Sequence, residues 1–521
     1  MGRGALGVSL SGGSPAIGAA LDPVRAPRRI EASEVIHVVG AAGAGASAAA
    51  LLAAAAGAGS SGCDAGGASP YTAALQAAGI QLAWVHDPGH VAGPPVPTRL
   101  AVTKALTAIA PDHPELLAAR AAGIAVEPWQ QVVADAAVGR TLIGVAGTHG
   151  KSTTAGWLTH VLTSAGRDPG AFVGALLPAS MTGGIPSTMR AGTGAAFIVE
   201  ADEYAGNFDA YRPQVAILTS IEWDHPDVFP DRAAVIDTFE RWIVAMGEGW
   251  PDERGGRPIV VANAGDPGVA ELIGRLEGRS IRMLTYALDS ATPAPFSGSG
   301  EAIIGRILDA APRVTTVELR GLPGSDRPVS ANLPTAGRHN AANALGVAAA
   351  AAAIGVSPEG IAIGLETFPG VGRRLEWKGE SAGVAVYDDY GHHPTAIVET
   401  VRAVRQREPG RRVWAAYEPL TYHRTAALHD EFADALATAD AVAVARIWAG
   451  RDIDTSVDSA EALAASVADR RPGIPVRAPG DVDDTATWLA GQVRSGDVVL
   501  VMGGGRSYRI GERLLELLQG D

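Results

Sequence analysis

The sequence predicts an α/β fold of three domains, on three observations. Short β-like apolar runs alternate with alanine-rich helical stretches along the whole chain, the pattern of parallel sheets flanked by helices. The chain has 521 residues, more than one hydrophobic core normally serves. Two glycine-rich turns follow β-like runs, one after Val39 and one after Ala146, too far apart to serve one domain. One boundary therefore falls near residue 140. A second falls at FPGVG (368–372), where the pattern breaks before a fresh α/β series. The expected parts are a loose tail over 1–32, a Rossmann-like domain over 33–140, a central P-loop ATPase-like parallel-sheet domain over 141–368, and a C-terminal Rossmann-like α/β domain over 369–521.

Composition narrows the function classes. Hydrophobic residues make up 47% of the chain, a globular value. A formal net charge of −14 argues against a general nucleic-acid or anionic-membrane surface, either of which needs a basic face. Cys63 is the single cysteine, so no intramolecular disulfide forms; this fits a reducing cytoplasm, with Cys63 expected as an inert buried thiol. Gly and Pro interrupt the N-terminal segment too often for a signal peptide. The weakly hydrophobic Ala/Gly run from Ala41 to Gly59 reads as a buried first helix rather than a membrane span.

In chain order, strands are expected at VIHVVG (35–40), TLIGVAG (141–147), AAFIVEAD (195–202), VAILTSIE (215–222), IVVANAGD (259–266), GVAVYDDYG (383–391), VWAAYEP (413–419), AVAVARIW (441–448) and DVVLVMGGG (497–505). Most end in Gly, Asp, Glu or His. Open α/β sheets bind ligands beyond the carboxyl ends of their strands, so these polar ends lie where sites form. ATPAPFSGSG (291–300) reads as a surface loop inside the middle domain.

GVAGTHGKSTTAGW (144–157) carries the clearest chemistry. A strand ending at Ala146 or Gly147 turns through Thr148, His149 and Gly150, and a helix begins near Lys151, followed by Ser152 and Thr153. Backbone N–H groups at such a turn point at a common centre and stabilise phosphate oxygens. Lys151 would bridge the β- and γ-phosphates and the Ser152 hydroxyl would ligate Mg²⁺. The common form has glycine where Val145 stands, so the loop is a shortened one. Downstream, IVEADEY brings Glu200, Asp202 and Glu203 to one strand end, and SIEWDHPD brings Glu222, Asp224, His225 and Asp227 to another. Mg²⁺ takes oxygen ligands and accepts an occasional imidazole, so both clusters beside a phosphate loop read as a metal–nucleotide site.

With these motifs in hand, the sequence resembles the Mur ligases, the ATP-dependent ligases of peptidoglycan precursor synthesis, over nearly all of residues 35–521. GTHGKSTT, EADEY, IEWDHPD, GRHNAANAL, GVGRRLE, YDDYGHHPTAI and a Tyr-His-Arg-Thr segment occur in family order. The family uses Gly-Thr-x-Gly-Lys, which accounts for Val145. Within it, the branch that joins L-alanine to UDP-N-acetylmuramate is the most similar. VVGAAGAGAS matches that branch's nucleotide-sugar loop at Gly40, Gly43, Gly45 and Ser47, and Asp64 of SGCD falls where a strand-end Ser-Asp is usual.

The resemblance implies the remaining roles. Lys151 and Ser152 hold ATP phosphates and Mg²⁺, with Glu200 and His225 as further metal ligands. His339, Asn340 and Asn343 contact the adenine base, one of Arg373 and Arg374 reaches ATP when the third domain closes, and Asp388 and Asp389 hold the ribose. Tyr390, His392 and Arg424 belong to the amino-acid site, with the carboxylate on Arg424 and His392 as a group that could deprotonate the amine. His393 reads as a buried structural histidine. The implied reaction makes an acyl phosphate from the carboxylate and ATP, which the amine then attacks. Catalysis is mainly positioning and charge neutralisation. Three departures stand out: Ala42 replaces a usual glycine, Leu420 follows Glu418-Pro419 where the branch has Gln-Pro-His, and Arg506 stands where an acidic residue is usual. Two alternatives stay open: a murein-tripeptide recycling ligase, which YRPQVAILTSIEWDHPDVFPD, VYDDYGHHPTAI and Glu418-Pro419 also resemble, and a non-catalytic nucleotide-binding homologue, suggested by Leu420 and Ala42.

Overall fold

The computed structural model describes residues 17–246, 257–289, 301–450, 452 and 454–520. The loop expected at 291–300 lies outside the described residues, as do residues 1–16 of the expected tail. The chain divides into two compact units, Met1–Ala136 and Ala137–Asp521. Each is built on parallel β-sheet, and among the described residues no helix is long and apolar enough to cross a membrane.

The first unit holds one five-stranded sheet in spatial order Gln81–Ala83, Gly59–Cys63, Val35–Val39, Arg99–Val102, Ala125–Pro128. All its pairings are parallel. The strand order reverses between Val35–Val39 and Arg99–Val102, the point at which such sheets open a crevice at their carboxyl ends. Gly40 takes φ 83° there, and its N–H and that of Ala41 donate to the Cys63 carbonyl. The following helix, Ala44–Ala55, is the expected alanine-rich one and is buried along most of its length. Gly45 permits a close approach, because a Cβ there would fall 2.2 Å from the Trp129 ring.

Residues 17–32 differ from the loose tail expected of them. Ala20 joins the hydrophobic core of the unit. Arg25 pairs with Glu127 at 2.6 Å and with Asp135 at 2.7 Å, and the buried Arg99 guanidinium lies 3.0 Å from the same Glu127. Those carboxylates are buried and need cations, and part of the need is met by the N-terminal segment.

Among the described residues, the second unit contains two sheets. The larger has ten strands in the order Val329–Leu333, Val314–Arg320, Glu301–Ala311, Arg282–Leu288, Ile259–Asn263, Val215–Leu218, Thr141–Ala146, Ala196–Ala201, Gly170–Leu177, Ser187–Ala191. Its centre is parallel, and antiparallel pairs close both edges. Val, Ile and Leu on the central strands pack against the helices Lys151–Ser164 and Arg338–Ala353. Trp157 stacks on Phe368 with ring centroids 4.7 Å apart. The smaller sheet has six strands in the order Glu376–Ser381, Val384–Asp389, Asp497–Gly503, Arg412–Glu418, Ala441–Val444, Val476–Arg477, antiparallel only at the first pair.

Candidate active site

The phosphate-type loop lies between the central strand Thr141–Ala146 and the helix Lys151–Ser164. Its shape depends on two glycines. Gly147 takes φ 140°, and a Cβ there would fall 2.1 Å from Thr219 Oγ1; Gly150 takes φ 79°, and its Cβ would fall 2.6 Å from Asn343 Oδ1. The loop is held from the neighbouring strand's exit. Thr148 N–H donates to the Ser220 carbonyl at 2.9 Å, His149 N–H donates to Ser220 Oγ at 2.9 Å, and Glu222 N–H donates to Thr148 Oγ1 at 2.8 Å.

Charged groups converge at the start of the helix. Lys151 Nζ lies 3.0 Å from Glu203 and 3.3 Å from Asp202. Burial disfavours the ammonium, but Glu203, Asp202 and Glu200 outweigh it and hold its pKa above the ordinary value. The Ser152 hydroxyl donates to Glu200 at 3.0 Å, Gly174 N–H donates to the other Glu200 oxygen at 2.6 Å, and Arg374 donates to Ser152 Oγ at 2.8 Å. Donor atoms of Asp202, Glu203 and His225 lie within 4.8 Å of one another. This set of mostly hard oxygen donors with one imidazole suits Mg²⁺. His225 takes φ 56° and sits against the Tyr204 ring at 4.7 Å.

A second convergence forms where the smaller sheet meets the larger one's loops. Arg424 is 3% exposed and donates to Asp224 at 2.7 Å, while its Nε and Nη1 have no hydrogen-bond partner among the described residues. Burial penalises the Asp224 carboxylate, but Arg424 and the nearby histidines keep it well below the usual carboxylate range. Burial, then the Arg424 charge, holds the His392 imidazole well below its ordinary pKa. His392 Nδ1 lies 2.8 Å from the Tyr390 carbonyl. A carbonyl only accepts, so Nδ1 carries the proton and Nε2 keeps its lone pair. His393 is buried, receives the Thr395 N–H at the start of the helix Pro394–Arg407, and packs on His149 at 4.6 Å. Glu222 lies 3.6 Å from both His149 and His393 and accepts from Thr395 Oγ1 at 2.7 Å.

The remaining expected residues take the following places. Arg373 pairs with Asp388 at 3.0 Å and donates to the Gly503 carbonyl and Ser507 Oγ, while Arg374 donates to Ser152 Oγ at the end of the phosphate loop. Asp388 is 1% exposed behind that pair, and burial raises its pKa to about 6. Asp389 accepts from the backbone N–H groups of Leu375 and Gly391, bracing the turn. Asn340 donates to the Ala336 carbonyl, and His339 lies 3.7 Å from Glu399. Asn343 lies beside the loop, its Oδ1 2.6 Å from where a Cβ on Gly150 would stand, and its amide donates to Asn340 Oδ1. The roles of Asp224, and of Glu222 beside His149 and His393, were missed by sequence reasoning. Asp224 and Arg424 are 200 positions apart, and nothing local marks them as partners.

In the first unit, Asp64 lies beyond the strand Gly59–Cys63 and accepts from Ala42 N–H at 3.0 Å and Gly66 N–H at 2.8 Å. The carboxylate thus braces the glycine turn at the position where Ala42 replaces a glycine. Gly43 N–H donates to the Gly40 carbonyl, and Ser47 is buried with its hydroxyl on the Ala44 carbonyl.

Comparison with known proteins matches this architecture along its length. Three family models match in order: the Mur ligase family catalytic domain over 35–141, the Mur ligase middle domain over 145–351, and the Mur ligase glutamate ligase domain over 373–505. A UDP-N-acetylmuramate–L-alanine ligase of Kineococcus radiotolerans is 36% identical over 501 residues, which is 96% of this chain and 98% of that protein. Among solved structures, UDP-N-acetylmuramate–alanine ligase of Thermotoga maritima superposes with a TM-score of 0.73 at 22% identity, covering 94% of this chain and 99% of the other. A murein peptide ligase of Psychrobacter arcticus gives 0.69 at 24% identity, covering 94% and 99%. At those identities the structural likeness shows the fold.

Proposed function

The chain belongs to the Mur ligase family of ATP-dependent ligases, and from that premise we propose that it joins L-alanine to the carboxylate of UDP-N-acetylmuramate in peptidoglycan precursor synthesis. The observation that carries the catalytic reading is the convergence of Lys151, Ser152, Glu200 and Arg374 at one helix start. A carboxylate does not react with an amine at neutral pH. Phosphoryl transfer from ATP turns it into an acyl phosphate, the amine attacks the carbonyl carbon, and phosphate leaves from the tetrahedral intermediate.

In this reading the N–H groups of Gly150 to Thr153 at the helix start, with Lys151 and Arg374, hold the transferred phosphoryl group and offset its charge, while the Thr148 and His149 N–H groups stay on Ser220 and fix the loop. Ser152, Glu200 and His225, with Asp202 and Glu203 beside them, would hold Mg²⁺, which supplies charge neutralisation on the phosphates. Arg424 is held by Asp224, which leaves two of its nitrogens for the amino-acid carboxylate. The neutral His392 offers Nε2 to the amine. Tyr390 rests over the Arg374 guanidinium at 5.2 Å and links the two groups of residues. The first unit, through Gly40, Gly43, Gly45, Ser47 and Asp64, takes the UDP-sugar.

Phosphate release from Mg·ATP and UDP-N-acetylmuramate tests the reading, with L-alanine and with L-alanyl-γ-D-glutamyl-diaminopimelate in separate reactions. Release that requires L-alanine is expected. Release with the tripeptide alone moves the protein to the recycling branch, and ATP binding without turnover for either amine makes it a non-catalytic homologue.

A further inference from the structure

The first unit contains a second group of ligand-type side chains unrelated to ATP. His37 lies in the strand Val35–Val39, Cys63 ends the strand Gly59–Cys63, His90 belongs to the short helix Gly89–Ala92, and Glu115 opens the helix Pro114–Ala121. One donor atom from each lies within 4.8 Å of all the others. We propose that His37, Cys63, His90 and Glu115 form a four-coordinate structural site for a divalent transition-metal ion of the zinc class.

Distances and donor chemistry support this together. Ligand bonds of roughly 2.0–2.3 Å in a tetrahedron put neighbouring donors about 3.4 Å apart. About one Glu115 oxygen, Oε2, His37 Nε2 lies 3.5 Å and Cys63 Sγ 3.2 Å away, and those two donors are 3.4 Å apart; His90 Nδ1 lies 3.1 Å from the other oxygen, Oε1, and completes the set within the 4.8 Å limit. Two imidazoles, a thiol and a carboxylate suit zinc and similar ions far better than Mg²⁺ or Ca²⁺. The supporting contacts are those of a metal ligand shell. Ser61 Oγ lies 2.9 Å from His37 Nδ1 and leaves Nε2 for the centre, and Asp87 N–H donates to Glu115 Oε1 at 2.9 Å. His86 Nδ1 lies 3.3 Å from Cys63 Sγ and supplies a further imidazole at the rim. His113 packs edge-on to His86 at 4.5 Å, buried, with neither ring nitrogen bonded to protein.

Charge balance favours an ion here. Glu115 and Cys63 are fully buried, and Cys63 is part of the hydrophobic core of the unit. On binding, the Cys63 thiol releases its proton to solvent as the metal–sulfur bond forms, and the imidazoles bind neutral through their lone pairs. One thiolate and one carboxylate then cancel a charge of +2. The bound ion would tie two strands to two helices directly behind the glycine turn, because the Cys63 carbonyl accepts from Gly40 and Ala41.

Cobalt titration of the chelator-treated full chain tests the proposal. Cys63 is the single thiol, so a thiolate-to-cobalt charge-transfer band reports this site alone. The expected result is a band that saturates at one equivalent, bleaches when zinc is added, and is absent in a folded Cys63→Ser protein. His90→Ala, at the ligand whose side chain is 22% exposed, is expected to weaken cobalt binding at least about 10-fold while the fold, read by circular dichroism, is kept. Cobalt binding without that band, no bound cobalt at one equivalent, or unchanged affinity in His90→Ala overturns the site.

Discussion

The Lys151 ammonium has Glu203 and Asp202 as its near neighbours, at 3.0 and 3.3 Å. Lys151→Ala is expected to lower kcat by about 10²-fold or more, read as ADP release, because the transferring phosphoryl group loses its fixed cation. The same change leaves Glu203 buried without its partner, so the protein also loses stability, on the order of 3 kcal/mol. The double variant Lys151→Ala, Glu203→Gln is expected to recover stability in denaturant titration but not turnover, which separates the two effects. Glu418 gives a pH prediction. It is 4% exposed, its Oε2 has no hydrogen-bond partner among the described residues, and burial raises it from 4.5 to about 7 against backbone donors at Ser507 and Arg506. The native state therefore holds this proton more tightly than the unfolded chain. The contribution of Glu418 to stability falls as pH rises from 4.5 to about 7, by roughly 3 kcal/mol in all. Glu418→Gln is expected to remove that decline, so wild type and variant diverge in urea titrations above pH 7 and converge near pH 4.5. Lys151 and Glu200 could be read from sequence because each sits in a short local motif. The place taken by Arg373 could not, since Asp388 and Ser507 meet it only after the smaller sheet has formed.

Elements were more legible than contacts. All nine apolar runs picked from the sequence contain strands, and the helix expected near Lys151 runs over Lys151–Ser164. Parallel strands buried on both faces read as continuous Val, Ile and Ala runs, so their signal survives without an alignment. Ends were less legible: the run 215–222 is strand only over Val215–Leu218, because Thr219 and Ser220 turn their hydroxyls to the phosphate loop instead of extending the sheet. The loop itself yields a prediction. Gly150 combines φ 79° with a Cβ position 2.6 Å from Asn343 Oδ1. Gly150→Ala is expected to destabilise the protein by about 1–2 kcal/mol from backbone strain and to weaken Mg·ATP binding by calorimetry as Asn343 is pushed aside. Glycine to alanine at Gly123, where φ is 70° but nothing lies within 4 Å, is the control: similar strain with ATP affinity unchanged.

At the scale of the molecule, residues 137–521 form one compact unit with its own sheets and cores. A fragment starting at Ala137 is expected to fold and bind Mg·ATP while failing to bind the UDP-sugar, checked by calorimetry with each ligand. Within that unit, Arg374 and Arg424 from the C-terminal part reach Ser152 and Asp224 of the central part. The contacts explain why the third sheet belongs with the second, a grouping that composition did not reveal. The pairing at Lys151 has a further consequence. With Glu203, Asp202 and Glu200 as built-in counter-ions, the phosphate cradle is electrically quenched at rest. A stray inorganic anion gains little by entering, since it meets the carboxylates along with the ammonium. A nucleotide that arrived with its own divalent cation would deliver both signs of charge at once, offering the acids a metal and the ammonium its phosphates. On the proposed function, the cradle would then act as a coincidence detector, with an expected affinity for free ATP far below that for the metal complex.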